Sequence, residues 1–141
     1  MEWIRWEVTE DVALVTMDYK SENRLSGPFN AELRKAIAEL RDDTSVKAVV
    51  FTGGHEKFFC NGLDLEWMMQ QDKNTLFEFL SDVTLLLKDT ALFPKPVVGA
   101  VNGHAFGLGT IWSSGFDFRI MREDRGWVCF PEMDINIPFL P

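Results

Sequence analysis

The sequence predicts an α/β domain, and two patterns in the chain carry that prediction. Amphipathic, helix-like segments alternate with short apolar runs rich in β-branched residues, which is typical of repeated strand and helix units. A glycine cluster, Gly103, Gly107 and Gly109, lies between one apolar run and a helix-like segment. This indicates a buried strand, a tight turn and a helix beginning near Gly107. With 141 residues, 46% hydrophobic and 26% charged, the chain suits one domain with a real core.

The first half of the chain alternates clearly between strand and helix patterns. Apolar runs at 3–8 and 12–18 predict two strands joined by a short hairpin turn. Residues 19–27 carry Ser, Asn and Gly without periodicity, so we expect a loop there. From Pro28 onward, apolar residues recur at three- and four-residue spacing, and proline suits a first helical turn. The apolar run at 46–52 predicts the next strand.

A second long helix is predicted after Asp72 or Asn74, because either side chain can cap a helix N-terminus. Its expected apolar face consists of Leu76, Leu80, Val83 and Leu87. The strand at 97–101 follows, and the runs at 116–121 and 127–130 predict two further short strands.

Charge and composition exclude several classes of function. The net charge of −8 argues against a nucleic-acid partner, which usually leaves a basic surface. No apolar run approaches the roughly 18 residues needed to span a bilayer. The N-terminus resembles neither a secretory signal nor a transit peptide, so we expect a cytoplasmic protein without a membrane span. Cys60 and Cys129 are isolated thiols without metal-ligand spacing, and we predict no metal site.

Two phrases carry a resemblance to a known family. Residues 57–67 (KFFCNGLDLEW) and 97–111 (VVGAVNGHAFGLGTI) together resemble the crotonase family, the enoyl-CoA hydratase/isomerase superfamily. Shorter matches lie at 22–25, 116–119 and 131–132, in the same order as in the family. The pattern is most similar to the Δ3,Δ2-enoyl-CoA isomerases.

The resemblance implies an α/β crotonase-like (ClpP/crotonase) fold of repeated ββα units. Residues 1–141 would form its N-terminal core domain. The helical C-terminal region, which in the family helps to complete the pocket and the subunit contacts, is expected to be absent from this chain. A homotrimer or a dimer of trimers is implied by the family alone.

The resemblance also assigns roles to single positions. The backbone N–H groups of Leu63 and Leu108 would form an oxyanion hole for a thioester carbonyl, the alternative being glycines needed only for packing. Substrate contacts would come from the loops that carry Asn23, Arg24, Leu25, Cys60, Gly62 and Gly107. Arg24 could reach a phosphate of coenzyme A, or it could be a solvated loop arginine.

The carboxylates distinguish the reactions of this family. Its hydratases use two glutamates, whose positions fall here on Ile111 and Glu132. Ile111 can neither hold water nor deliver a proton, whereas one glutamate suffices to shuttle a proton. We therefore expect a 3-enoyl-CoA to 2-enoyl-CoA isomerase with Glu132 as proton shuttle, acting on an acyl-CoA thioester without any further cofactor. For Glu132, the alternative is a surface or capping carboxylate.

Two other functions remain open at this point. A different crotonase reaction, such as hydration or thioester hydrolysis, could use a polar group outside this chain. A non-catalytic protein that binds CoA thioesters, or a structural subunit, would account for Ile111 and Trp112 as signs of lost activity.

Overall fold

The computed structural model describes residues 1–131, whose elements follow one another as repeated ββα units. In chain order these elements are β1 (Ile4–Thr9), β2 (Val12–Met17), α1 (Gly27–Asp42), β3 (Ala48–Gly53), β4 (Phe58–Cys60), α2 (Leu65–Met68), α3 (Lys73–Ala91), β5 (Val97–Val101), β6 (His104–Phe106), α4 (Leu108–Ser114), β7 (Phe118–Met121) and β8 (Val128–Cys129). The predicted α/β fold of ββα units is confirmed.

The strands form two sheets. The larger has the order β1-β2-β3-β5-β7, with β1 antiparallel to β2 and every other pair parallel. The smaller has the parallel order β4-β6-β8. In each later unit, therefore, the first strand joins the large sheet and the second joins the small one. The short strands β4 and β6 were not predicted, because three residues are too few to show an alternating pattern.

Helix α1 begins and ends with identifiable side-chain contacts. The Ser26 hydroxyl accepts from the Phe29 N–H at 3.5 Å, and Pro28 occupies the first turn. At the other end, the Lys95 ammonium donates to the carbonyls of Leu40 and Asp43, both at 2.6 Å. A lysine 55 residues along the chain from Leu40 thus satisfies carbonyls that the helix itself leaves without donors.

Helix α3 is capped by Asp72, whose carboxylate accepts from the N–H groups of Asn74 at 2.8 Å and Thr75 at 3.0 Å. The prediction for its buried face was partly wrong. Leu80 is 36% exposed. The side chains that are buried are Phe79, Val83, Leu86 and Thr90. Because leucines occur on more than one side of this helix, apolar spacing alone could not decide which side faces the core.

Trp112 lies at the centre of the core, where it packs against Phe51, Phe59 and Phe116. It is 1% exposed, and its indole N–H donates to the Thr90 hydroxyl at 2.9 Å. Trp112 is thus a packing residue. Within the described residues, no helix is both long and apolar enough to cross a membrane.

Candidate active site

The loop after β4 presents the N–H group of Leu63. Leu25 donates its N–H to the Gly62 carbonyl at 2.7 Å, and Asp64 donates its N–H to the Leu25 carbonyl at 2.8 Å. In this parallel bridge the neighbours of Leu63 make the hydrogen bonds, so the N–H of Leu63 itself points away from Leu25. It donates no hydrogen bond to any part of residues 1–131.

The turn between β6 and α4 presents the N–H group of Leu108. Gly107 precedes this helix, and its own N–H donates to the Cys129 carbonyl at 2.9 Å. Its carbonyl accepts from Thr110 at 2.9 Å and from Ile111 at 3.0 Å. Leu108 is the first residue of α4, where N–H groups lack an acceptor inside the helix. Its N–H has no acceptor elsewhere in the described part of the chain either.

The fold brings these two N–H groups together. A Cβ placed on Gly62 would lie 3.5 Å from the Leu108 nitrogen, so the Leu63 N–H, one peptide bond further along, is its close neighbour. Gly62 has a φ of 77° and Gly107 a φ of 52°, a left-handed region that favours glycine. Each unpaired donor thus follows a glycine whose unusual backbone conformation sets its direction. Two such donors side by side can stabilise an oxygen that becomes negatively charged.

Other glycines of the cluster are required for packing. A Cβ on Gly103 would lie 2.5 Å from the Lys57 carbonyl oxygen, and one on Gly109 would overlap the carbonyl oxygen of Cys60. Both glycines therefore let the turn approach β4 closely. The packing interpretation thus holds for Gly103 and Gly109, whereas the functional interpretation of the turn at Gly107 stays a prediction.

Thr110 fixes the start of α4, and the sequence analysis did not identify it. The side chain is buried, and its hydroxyl donates to the Ala105 carbonyl at 2.5 Å and lies 3.0 Å from the Cys129 carbonyl. It thereby ties the first turn of α4 to both β6 and β8. A threonine three residues after a turn glycine was the available signal, because threonine hydroxyls in helices often bond to backbone carbonyls.

Asp64 anchors the loop that carries the Leu63 N–H. Its Oδ1 accepts from the Trp67 N–H at 3.0 Å and caps α2, while its Oδ2 lies 3.3 Å from the Lys20 ammonium. The residue is 4% exposed, so both carboxylate oxygens are committed within the protein. Its role is structural.

Asn23 is buried and holds the 19–23 loop in place through its side chain. It is 0% exposed; its side chain donates to the carbonyls of Met17 and Phe59, both at 3.1 Å, and accepts from the Tyr19 N–H at 2.7 Å. These bonds hold its backbone at a φ of 49°. The side chain of Asn23 is fully used inside the loop, and the expected contact of this loop with a substrate stays a prediction.

Leu25 and Cys60 are also 0% exposed, and their expected contacts with a substrate stay predictions. The Cys60 thiol donates to the Asn23 carbonyl at 3.2 Å. Burial raises the pKa of this thiol to about 12, so it stays neutral and is no nucleophile. Asn23, Leu25 and Cys60 are thus buried residues that pack against the loop carrying the Leu63 N–H.

Beside this loop is a polar groove of about 240 Å³, lined by Lys20, Ser21, Glu22, Arg24, Asp64 and Glu66. We call it the Arg24 groove. Arg24 is 42% exposed and its Nε lies 2.5 Å from the Glu22 carboxylate. Hydrogen bonds to Tyr19 and Asp64 raise the pKa of the Lys20 ammonium, which keeps it charged. Whether Arg24 meets a ligand stays a prediction.

The two predicted glutamate positions have different outcomes. Ile111 is half-buried in α4 and packs against the core. Glu132 lies outside the described residues, so its predicted role as proton shuttle stays a prediction. Among residues 1–131, no group of three histidine, cysteine or acidic side chains could hold a metal ion.

The repeated ββα units form two sheets, and two glycine-preceded N–H groups follow the neighbouring strands β4 and β6 of the small sheet; these features define the structural class of this protein. Residues 7–137 match the profile of the enoyl-CoA hydratase/isomerase family, so the chain belongs to this family.

Several named relatives and solved structures are similar to the chain. Enoyl-CoA delta isomerase 3 of Arabidopsis thaliana is 28% identical over 131 residues, which are 91% of this chain and 55% of that protein. Peroxisomal enoyl-CoA delta isomerase 1 of the same plant is 34% identical over 82% of this chain and 48% of its own. The crystal structure of an enoyl-CoA hydratase from Bacillus anthracis superposes with a TM-score of 0.85 at 27% identity, covering 94% of this chain and 52% of that one. The chain thus spans about half the length of these relatives.

Proposed function

We propose that the protein isomerises 3-enoyl-CoA thioesters to 2-enoyl-CoA thioesters. The observation that carries this proposal is the meeting of the unpaired N–H groups of Leu63 and Leu108 beside Gly62. Two donors fixed by the backbone stabilise a thioester oxygen as it becomes an enolate, without having to reorganise during the reaction. Removal of one such donor typically lowers the rate by about 10²–10³-fold.

The proton transfers balance with a single carboxylate. Glu132 takes the proton from C2, the electrons of that C–H bond spread through the dienolate to the thioester oxygen, and the double bond forms again between C2 and C3 when Glu132 returns the proton at C4. This scheme requires no second acid or base. It is therefore supported by Ile111, an apolar residue at the position of the other family glutamate. No cofactor is needed beyond the coenzyme A that the substrate carries.

The similarity to the Bacillus anthracis hydratase favours hydration as a second candidate. Hydration requires a water molecule to be held and a proton to be delivered, work that two carboxylates normally share. With Ile111 in place of one of them, the second polar group would have to come from outside residues 1–131. The two Arabidopsis thaliana relatives, both named as delta isomerases, support the isomerase instead.

The test uses 3-hexenoyl-CoA and follows the appearance of the conjugated 2-enoyl product. The wild type should form this product, and a Glu132→Gln variant should lose at least about 10²-fold in kcat, as expected for loss of a general base. Glu123→Gln removes the charge of an exposed glutamate and should leave turnover unchanged. Conversion of 2-hexenoyl-CoA to a hydroxyacyl product, without isomerisation, would favour the hydratase. Acyl-CoA binding without either reaction would favour a non-catalytic binding protein.

A further inference from the structure

Both cations of the Arg24 groove are already paired with carboxylates of the same groove. The Arg24 Nε lies 2.5 Å from the Glu22 carboxylate, and the Lys20 ammonium lies 3.3 Å from Asp64. Glu66 adds a third carboxylate to the lining. The groove therefore holds three negative and two positive side chains, which is an unusual balance for a surface that is to receive phosphate groups.

Glu22 is held in this position by a second partner. The Asn61 side chain donates to its carboxylate at 2.8 Å, and the Asn61 N–H donates to the Glu22 carbonyl at 3.0 Å. Glu22 is thereby attached to the loop that continues to Gly62 and Leu63. Its carboxylate is 30% exposed and is placed beside Arg24 by the loop rather than by Arg24 alone.

The pair of Lys20 with Asp64 differs in its function. Asp64 is nearly fully buried and also caps α2, so Lys20 compensates a carboxylate that the fold needs. Glu22 makes no comparable contribution to a helix, and Arg24 is 42% exposed. The Glu22–Arg24 pair is thus the one of the two that a ligand can replace at low cost.

We propose that Glu22 determines specificity by competing with a phosphate of the thioester's carrier for Arg24. This inference rests on the proposed function for its ligand, an acyl-CoA thioester. A phosphate that approaches Arg24 must displace a carboxylate that is already in place, so the affinity for phosphate is lower than Arg24 alone would give. Selection then depends more on the acyl and pantetheine parts, which lie closer to the two N–H groups.

The size of the expected change in affinity follows from the exposure of the Glu22–Arg24 ion pair. Exposed ion pairs contribute little, so removal of the Glu22 charge should tighten the binding of a phosphate-bearing thioester by about two- to five-fold. The gain should shrink as salt concentration rises, because exposed charges are screened within about 10 Å at 0.1 M ionic strength. A thioester without phosphate should gain nothing.

The experiment measures Kd by calorimetry for two probes, acetyl-CoA and acetyl-pantetheine, the second of which carries no phosphate. Glu22→Gln keeps an oxygen that can accept from Asn61 and removes only the charge. Glu66→Gln removes a charge from the same groove at a residue that does not pair with Arg24, and serves as the matched control. We expect a larger gain in acetyl-CoA affinity from Glu22→Gln than from Glu66→Gln, and no gain from Glu22→Gln when Arg24→Gln is already present.

Equal gains in Glu22→Gln and Glu66→Gln would overturn the inference, since the effect would then be one of overall charge. A gain for acetyl-pantetheine as large as that for acetyl-CoA would overturn it as well, and so would a wild type that binds neither probe. If Glu22→Gln shows the expected gain while 3-hexenoyl-CoA is not isomerised, the inference holds and only the proposed reaction fails.

Discussion

The nitrogen of Leu108 lies 3.5 Å from the position that a Cβ on Gly62 would occupy, although the two residues belong to separate ββα units. The same Cβ would lie 3.0 Å from the Phe106 carbonyl oxygen. Gly62 thus leaves open the space next to both unpaired N–H groups. A methyl group at this point would intrude on the proposed position of the thioester oxygen and on the turn that carries Leu108.

Gly62→Ala should therefore lower both activity and stability. A φ of 77° strains any residue with a Cβ, at a cost of about 1–3 kcal/mol, and displacement of one donor should lower kcat by about 10²-fold. Gly115→Ala is the control, because Gly115 has a φ of −78° and an added Cβ would lie 3.4 Å from its nearest neighbour. Urea unfolding and 3-hexenoyl-CoA turnover measure the two effects. Unchanged turnover in a folded Gly62→Ala variant would contradict the role of the two N–H groups.

Thr90→Val should destabilise the core, because the indole N–H of Trp112 would lose its acceptor. A buried donor without a partner costs about 1–3 kcal/mol. Thr90→Ser keeps the hydroxyl and should cost less. Urea unfolding of the two variants, and of each combined with Trp112→Phe, gives the coupling energy between the two side chains. A coupling energy near zero would show that the 2.9 Å contact contributes nothing.

Lys95→Met should lower the free energy of unfolding by about 1.5–3 kcal/mol, the range for hydrogen bonds that involve a charged group. The variant keeps an apolar stem of similar length but removes the ammonium donor from the carbonyls of Leu40 and Asp43, the second of which keeps only the Val46 N–H at 3.2 Å. Lys73→Met, at an exposed position in the first turn of α3, should stay within about 0.5 kcal/mol of the wild type. Equal effects of the two substitutions in urea unfolding would argue against a capping role for Lys95.

The buried thiol of Cys60 should make stability fall at alkaline pH. Its pKa is raised from 9.0 to about 12 by burial, so between these values the thiol ionises in the unfolded chain but not in the folded one. This contribution is complete below pH 9 and is lost as pH rises, by up to about 1.4 kcal/mol per pH unit. Cys60→Ala lacks it, so the difference in unfolding free energy between wild type and variant should be constant below pH 8.5 and change above pH 9. A constant difference up to pH 11 would contradict the assignment.

The sequence predicted the large sheet and the two long helices well, because their patterns are long enough to read. Alternation over 12–18 and helical spacing from Pro28 each extend over several residues, and β2 and α1 lie where these patterns place them. In the small sheet, β8 was predicted at 127–130, but β4 and β6 were missed because they have only three residues each. Their positions depend on pairing between distant segments, which no local pattern encodes.

For the candidate site, the family resemblance proposed Leu63 and Leu108 as donors, but the sequence did not show what surrounds them. The sequence could not show that Asn23 and Cys60 lie beneath the loop, since burial is decided by the elements that cover it. Nor could it show that Glu22 lies beside Arg24 while bonded to Asn61, 39 residues away. Such relationships arise from tertiary packing.

Because the two proposed donors are backbone groups, their chemistry is largely hidden from side-chain mutagenesis. Every substitution at Leu63 or Leu108 except proline retains the N–H. An alanine scan would then report a packing effect at these two positions and no chemical one. The sensitive positions would be Gly62 and Gly107, where the scan would register what looks like a folding defect. A survey of tolerated substitutions would therefore point to Gly62 and Gly107, the neighbours of the proposed donors, and would not single out Leu63 and Leu108 themselves.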